Sequence, residues 1–161
     1  MGEGGAITHV ASTAGSAWAK HLAEIKELLA TDDFGAGTAW AASNLDALGD
    51  PYLFSKQCVV VYTMMRAHGL IPRGIRMNCL SPGPVDSPML PAFREARGDA
   101  MLDWIAAQVG RMGRPEEMAG PLLFLNSDEA SYVNGHNLLA DGGFTGAMAL
   151  RLLDLSTIPR G

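Results

Sequence analysis

The sequence predicts an α/β fold in which helices flank a parallel sheet of three strands. Three short apolar segments, residues 6–11, 75–80 and 135–140, contain few polar residues, which is typical of parallel strands buried on both faces. Longer segments between them carry apolar residues at helical spacing. Alternation of strands and helices indicates a layered sheet with right-handed crossover connections.

Composition and charge restrict the classes of function. The chain has 161 residues, of which 48% are apolar, and a net charge of -5, so we expect one domain with a hydrophobic core and neither nucleic acid nor membrane as a partner. The sequence contains no membrane-length apolar run and its first residues do not resemble a signal peptide, which predicts a cytoplasmic protein. Cys58 and Cys79 lack metal-binding or redox spacing, so we predict reduced thiols and no metal site.

Ser12 is the first candidate functional residue. It directly follows the predicted strand at residues 6–11, and open α/β sheets place their chemistry at the carboxyl ends of strands. The alternative is that Ser12 is a turn residue or a helix cap.

The segment after Ser12 is predicted to be helical. Apolar residues recur there at intervals of four, three and four, at Trp18, Leu22, Ile25 and Leu29, which indicates an amphipathic helix ending near residues 31–33. This apolar stripe belongs either to the core or to an interface. A weaker helix is predicted over residues 39–48, ending before Gly49.

A central helix is predicted from Pro51 to about His68, with Asp50 as its N-cap and Gly69 at its end. Its middle is apolar around much of its circumference, so we expect it to be buried against the sheet.

Tyr52 and Lys56 lie in the first turns of this helix. A spacing of four residues places both side chains on one face. A nearby ammonium lowers the pKa of a phenol, and such a tyrosine exchanges a proton with an alcohol or a carbonyl. The alternative is a half-buried tyrosine beside a solvated lysine.

The second half contains a stiff loop and two further helices. Three prolines and a glycine fall within residues 81–88, which excludes regular structure there. Residues 91–98 are predicted to be a polar, mobile segment. Helices are predicted over residues 99–109 and 115–127, and residues 144–161 form a tail.

Six motifs in this order resemble the short-chain dehydrogenase/reductase family. Residues 10–15 look like its serine-bearing strand end, and Tyr52 and Lys56 look like its Tyr-x-x-x-Lys signature. Four more motifs follow in family order, at residues 76–85, 113–117, 130–135 and 141–143. The resemblance covers residues 4–146. It implies a Rossmann-like parallel sheet with flanking helices, of which this chain supplies the second half of the doubly wound fold.

The resemblance also implies a domain organisation. Residues 1–161 form one domain, the C-terminal portion of the family's Rossmann-like domain, with a helical insertion at residues 13–51 and a tail at residues 144–161. Tyr52 follows Ser12 by 40 residues. That long spacing resembles the branch containing 3α-hydroxysteroid dehydrogenase/carbonyl reductase and coniferyl-alcohol dehydrogenases.

The resemblance assigns the catalytic roles to three residues. Tyr52 is the general acid/base, Lys56 lowers its pKa and holds the nicotinamide ribose, and Ser12 orients the substrate oxygen. The cofactor is NAD or NADP, and the residues implied to bind it are Tyr52, Lys56, Pro82, Gly83, Val85 and Ser87.

The activity implied is the interconversion of a secondary alcohol and a ketone, or of an aryl alcohol and an aldehyde. The expected substrate is a small hydrophobic molecule, and a homo-oligomer is expected. The apolar residues near the family's variable lid, which favour such a substrate or simply pack, are Met89, Leu90, Phe93 and Met101. Epimerase or dehydratase chemistry with the same three residues is a further alternative.

The sequence departs from the family in the long spacing of Ser12 and Tyr52 and, more strongly, at the phosphate site. It lacks the glycine-rich turn that seats the pyrophosphate on a helix N-terminus. The alternative function is therefore a truncated, non-catalytic remnant or fragment, which folds or oligomerises but binds the dinucleotide weakly or not at all. The strand at residues 6–11 would then expose an edge.

Overall fold

The structure, a computed structural model, describes residues 4–159 apart from the side chains of residues 47 and 97. Its strands are β1 (Ala6–Val10), β2 (Arg76–Pro82) and β3 (Asn137–Ala140). They form one parallel sheet in the order β1-β2-β3, with helices packed against it. The predicted α/β class and the three strands are therefore confirmed.

The register places the carboxyl ends of the three strands at one edge of the sheet. Val10 lies opposite Leu80, and Pro82 lies opposite Ala140. Within residues 4–159, β1 pairs with β2 alone and is an edge strand, in agreement with the predicted open edge.

Helices fill the connections between the strands. The first connection contains a 3₁₀ helix (Thr13–His21), α1 (Leu22–Leu29), α2 (Phe34–Ser43), α3 (Leu45–Leu48) and α4 (Pro51–Leu70). The later part contains α5 (Leu90–Arg97), α6 (Asp99–Val109), α7 (Pro115–Asn126) and α8 (Phe144–Ala149). Short 3₁₀ helices cover Ile71–Arg73, Asp128–Ala130 and Leu155–Thr157.

The predicted start of α4 is confirmed. The Asp50 carboxylate accepts hydrogen bonds from the backbone N–H groups of Tyr52, at 2.9 Å, and Leu53, at 3.1 Å, while Pro51 occupies the first turn. These bonds satisfy N–H groups that otherwise lack partners at a helix start. The helix continues past Gly69 to Leu70, and the 3₁₀ helix Ile71–Arg73 that follows it ends at Gly74, whose φ is +62°.

The apolar stripe of the first connection covers α4. Ile25 and Phe54 are completely or almost completely buried in one cluster, to which Trp18, Leu22 and Leu29 contribute partly buried side chains. Of the two alternatives for the stripe, the core is therefore the one found. The opposite face of α4 packs on the sheet through Val60, which contacts Ala11 and Cys79.

Arg76 joins β2 to the end of α7 and the loop before β3. Its guanidinium donates to the carbonyl oxygens of Leu125, Ser127 and Val133 at 2.8–3.2 Å. Asn78, which is fully buried, donates to the Val133 carbonyl oxygen at 2.9 Å. These bonds satisfy carbonyl groups at a helix end and fix the entry to β3.

Two predicted segments differ from the structure. Residues 91–98, predicted to be a polar, mobile segment, lie mostly in α5, where Pro91 is in the first turn. The Arg94 guanidinium of this helix binds Asp99 at 2.8 Å and Asp103 at 2.7 Å. The helix predicted to begin at residue 39 begins earlier, at Phe34 as α2, because the Asp33 carboxylate accepts from Ala36 N at 2.8 Å and caps it.

Candidate functional site

Lys56 and Tyr52 lie at the carboxyl end of β1. The Lys56 ammonium nitrogen Nζ is 3.4 Å from the backbone oxygen of Val10, the last residue of that strand. The same nitrogen lies 5.8 Å from the centroid of the Tyr52 ring, which is within the range of a cation–π contact. Both side chains are half-buried. The first turns of α4 therefore present a phenol and an ammonium together at the sheet edge.

Ser12 stands just after β1 and caps the following 3₁₀ helix. Its Oγ accepts a hydrogen bond from Ala14 N at 3.2 Å. Ser12 is therefore a helix cap in this structure, as the alternative interpretation of the sequence predicted. A serine hydroxyl that accepts through one lone pair still has its proton to donate, so the cap leaves the hydroxyl able to bind a substrate oxygen.

Gly15 holds the Ser12 segment against α4. A Cβ atom at this glycine would lie 2.7 Å from the Lys56 backbone oxygen and 3.0 Å from Val60 Cγ2. Only a residue without a side chain permits this approach. The structure thus brings the turn that carries Ser12 against the part of α4 that carries Lys56.

The loop after β2 carries the residues predicted to bind the cofactor. Gly83 donates its N–H to the Ala140 oxygen at 3.1 Å, which fastens the loop to β3, and a Cβ atom at Gly83 would lie 3.0 Å from Asp141 Cβ. Pro82 ends β2, and the Ser87 carbonyl accepts from Leu90 N at 2.9 Å in the turn into α5.

Val85 forms an isolated parallel bridge with Gly113. The two hydrogen bonds of this bridge involve the neighbours of Val85: Gly113 N donates to Pro84 O at 2.9 Å, and Asp86 N donates to Gly113 O at 2.8 Å. The Val85 N–H and C=O groups therefore face away from Gly113. Neither makes a hydrogen bond to any part of the chain that the structure describes.

These groups suit the nicotinamide end of a dinucleotide. Lys56 has three N–H donors, of which Val10 takes one, and the Val85 peptide offers a donor and an acceptor of the kind that a carboxamide needs. The phosphates of a dinucleotide lack a comparable site, since no Gly-x-Gly-x-x-Gly fingerprint occurs in residues 4–159, and the turn at residues 141–143 leads from β3 only into the short helix α8. The residues present therefore fit the nicotinamide half of a dinucleotide but not its phosphates.

Phe93 is a neighbour of Tyr52 that the sequence did not indicate. The two ring centroids are 5.2 Å apart and the ring planes are inclined at 67°, an edge-to-face arrangement. Phe93 was expected to lie near the lid. Its contact with Tyr52 depends on how α5 packs relative to the first turn of α4, and no local sequence pattern specifies that packing.

A cavity of about 670 Å³ adjoins the loop after β2. It is lined by Gly83 and Pro84 of that loop, by Val109 of α6 and by Leu139 of β3, among others. The wall of this cavity does not include Ser12, Tyr52 or Lys56. The cavity is therefore separate from the predicted catalytic residues.

Neither cysteine is a candidate nucleophile. Both thiols are free, and burial raises the pKa of Cys58 to about 11 and raises that of Cys79, so both are protonated at neutral pH. In the part of the chain that the structure describes, no group of three or more His, Cys, Asp or Glu is placed to hold a metal ion. Within the same residues, no helix has the length and apolarity needed to cross a membrane.

A family model described as enoyl-(acyl carrier protein) reductase matches residues 39–145, about two thirds of the chain. The coniferyl-alcohol dehydrogenase of Pseudomonas sp. (strain HR199 / DSM 7063) is 33% identical over 141 residues, which cover 87% of this chain and 55% of that protein.

Solved structures agree with this match. A short-chain type dehydrogenase/reductase from Mycobacterium marinum aligns over 88% of this chain and 45% of its own, with a TM-score of 0.59 and 28% identity. A Beutenbergia cavernae protein solved with bound NADP at low occupancy aligns with a TM-score of 0.58 and 28% identity, over 88% of this chain and 46% of its own. The chain spans about half the length of these relatives. It belongs to the short-chain dehydrogenase/reductase family.

Proposed function

We propose that this protein is an NAD(P)-dependent oxidoreductase that interconverts a secondary alcohol and a ketone, or an aryl alcohol and an aldehyde. The observation that carries the proposal is the position of the Lys56 ammonium, between the Val10 carbonyl oxygen and the Tyr52 ring. The segment that carries Ser12 lies against the same part of α4.

Tyr52 is the proton donor and acceptor in this proposal. Reduction of a carbonyl leaves negative charge on its oxygen, and the Tyr52 hydroxyl neutralises that charge by donating its proton. In the oxidative direction Tyr52 takes the proton of the alcohol. Ser12 donates a hydrogen bond to the same oxygen and so stabilises the charge as it develops.

Lys56 and the loop after β2 position the reaction. The ammonium near the Tyr52 ring stabilises negative charge on the phenolic oxygen, and its remaining N–H groups suit the hydroxyls of a ribose. The peptide groups of Val85 suit the carboxamide of a nicotinamide, and Pro82, Gly83 and Ser87 of the same loop would contact the cofactor when it is bound. When bound, a nicotinamide supplies or accepts the hydride.

The proposed substrate is a small hydrophobic alcohol or carbonyl compound. The name of the Pseudomonas relative gives it coniferyl alcohol, which is small and carries an apolar ring, as substrate, and this favours the proposed class. In this chain, the apolar side chain of Phe93 contacts Tyr52.

A second candidate is a chain that folds and associates but lacks turnover. It is favoured by the edge position of β1 and by the lack of a Gly-x-Gly-x-x-Gly fingerprint across residues 4–159, because that fingerprint is what brings the pyrophosphate of a dinucleotide close to a helix N-terminus.

Titration with NADH and NADPH, followed by nicotinamide fluorescence, separates the two candidates. The oxidoreductase predicts saturable micromolar binding of at least one nucleotide, and weaker binding by Lys56→Ala. A fluorescence that rises in simple proportion to nucleotide up to millimolar concentration would instead support the second candidate.

Tyr52→Phe tests the proton transfer. We expect turnover of an aryl aldehyde to fall by about 10²- to 10⁴-fold, the usual contribution of a positioned general acid, with NADH binding unchanged. Tyr62→Phe, on the same helix but packed beside His9, is the matched control and should keep its activity. Wild-type turnover in Tyr52→Phe would show that the assigned role is wrong.

A further inference from the structure

We propose that Phe93 determines substrate specificity by selecting substrates that carry an aromatic ring on or next to the reacting carbon. The inference rests on the proposed function of Tyr52. Its basis is the edge-to-face contact between the two rings, whose centroids are 5.2 Å apart.

Helix α5 holds Phe93 in this position. The Phe93 N–H donates to the Met89 oxygen at 3.1 Å, and the next residue, Arg94, binds Asp99 and Asp103 of α6 through two guanidinium nitrogens. The two helices meet at Gly98, whose φ of +81° is disfavoured for residues with a side chain. Phe93 is thus presented by an element that is tied to its neighbour.

A reacting oxygen must come within hydrogen-bond reach of the Tyr52 hydroxyl. The carbon that bears this oxygen, and any ring attached to it, then lies beside the aromatic pair that Tyr52 forms with Phe93. A third aromatic ring adds an edge-to-face contact with Phe93, because the positive edge of one ring attracts the negative face of another. A saturated ring of similar size gains only the general hydrophobic contact.

Benzyl alcohol and cyclohexylmethanol are probes that differ only in the aromaticity of the ring. Their dissociation constants are measured by ligand-observed NMR on the full chain saturated with NADH. We expect the wild type to bind benzyl alcohol more tightly. Phe93→Leu should weaken benzyl alcohol binding by about two- to tenfold, the equivalent of one aromatic pair, and leave cyclohexylmethanol binding nearly unchanged. Phe93→Tyr should restore the preference.

Phe144→Leu is the matched control, since Phe144 forms a similar edge-to-face pair with Trp104, at 5.8 Å and 88°. This variant should keep the wild-type preference. Phe93→Met provides a second test if Phe93→Leu does not fold.

Equal binding of the two alcohols by the wild type, or an unchanged preference in Phe93→Leu and Phe93→Met, would overturn the role of Phe93. Neither result affects the proposed function, which is tested separately by the NADH titration and by the turnover of Tyr52→Phe. Loss of turnover in Tyr52→Phe together with an unaltered preference in Phe93→Leu would therefore retain the first proposal and reject the second.

Discussion

The side chains of the candidate site depend on a residue that has no side chain. Gly15 lets the turn after Ser12 approach the backbone of α4 at Lys56, where a Cβ atom would lie 2.7 Å from the Lys56 oxygen. The obstructing atom belongs to a helix backbone, which cannot rotate away as a flexible side chain does. A methyl group at Gly15 therefore has to push apart the two segments that carry Ser12 and Lys56.

Gly15→Ala is predicted to lower the free energy of unfolding by about 1–3 kcal/mol, the usual range for overpacking. Urea denaturation followed by circular dichroism measures the change. Gly69→Ala is the control, because no atom outside the adjacent helix backbone lies within 4 Å of its added Cβ in the part of the chain that the structure describes, and it should be neutral or slightly stabilising. Equal stability of the two variants would contradict the close approach at Gly15.

The residues of the site were predictable from sequence to different degrees. The four-residue spacing of Tyr52 and Lys56 and the cap at Asp50 are local patterns, so the helical face that carries them was predicted. The contact of Lys56 with the Val10 oxygen was not, because every residue has a carbonyl and sequence does not distinguish one from another. Phe93 and Tyr52 meet through tertiary packing, which spacing along the chain does not encode.

At the scale of elements, helix α7 begins with a network of charges on Glu117. Its carboxylate accepts from both guanidinium nitrogens of Arg111 at 2.7 Å and from the backbone N–H of Arg114 at 2.8 Å. These bonds, that of Arg111 foremost, lower the pKa of Glu117 from 4.5 to about 2. The negative charge also lies at the positive end of the helix dipole.

The lowered pKa predicts the direction of the pH dependence. A carboxyl group with a lower pKa in the folded state stabilises the fold above its unfolded value of 4.5, and this contribution is lost as the pH falls towards about 2. Glu117→Gln should therefore be less stable than the wild type near neutral pH, with a difference that shrinks below pH 4.5. Urea midpoints measured across this range test the prediction.

Glu116→Gln is the matched control, since it removes the same charge from the same turn of α7. No ion pair or hydrogen bond of the Glu116 side chain occurs in the part of the chain that the structure describes. Its effect should be smaller than that of Glu117→Gln. Equal losses would show that helix dipole and net charge, rather than the bonds to Arg111, govern the response.

Elements with strong local signals were predicted well, and those fixed by partners elsewhere were not. The helix at Asp99–Val109 was predicted from its apolar spacing and the glycine that ends it. Residues 91–98 are polar and contain a proline, and they form most of α5 where Arg94 binds two carboxylates of α6. The composition of this segment does not show that Arg94 will meet carboxylates of α6, so it did not indicate the helix. Surface ion pairs of this kind are individually weak.

At the scale of the whole molecule, the structure has exposed apolar side chains on α7 and on β3. Leu123 is 72% exposed and Phe124 is 43% exposed on α7, and Leu139 of the edge strand β3 is 39% exposed. Adjacent exposed apolar residues are common at protein–protein contacts.

The extent of the insertion, residues 13–51, and of the tail, residues 144–161, stays a prediction, as does a cytoplasmic location.

The apolar surface on α7 leads to a prediction about assembly. We expect the protein to form a homo-oligomer in which α7 lies at a contact between copies, because burying Leu123 and Phe124 removes their apolar surface from water. The double variant Leu123→Lys/Phe124→Lys should then have a lower molecular mass than the wild type in sedimentation velocity at equal concentration. Phe34→Lys, which changes an 87% exposed aromatic residue on α2, is the control and should leave the mass unchanged. A monomeric wild type would refute the predicted oligomer, and a double variant with the wild-type mass would move the contact away from α7.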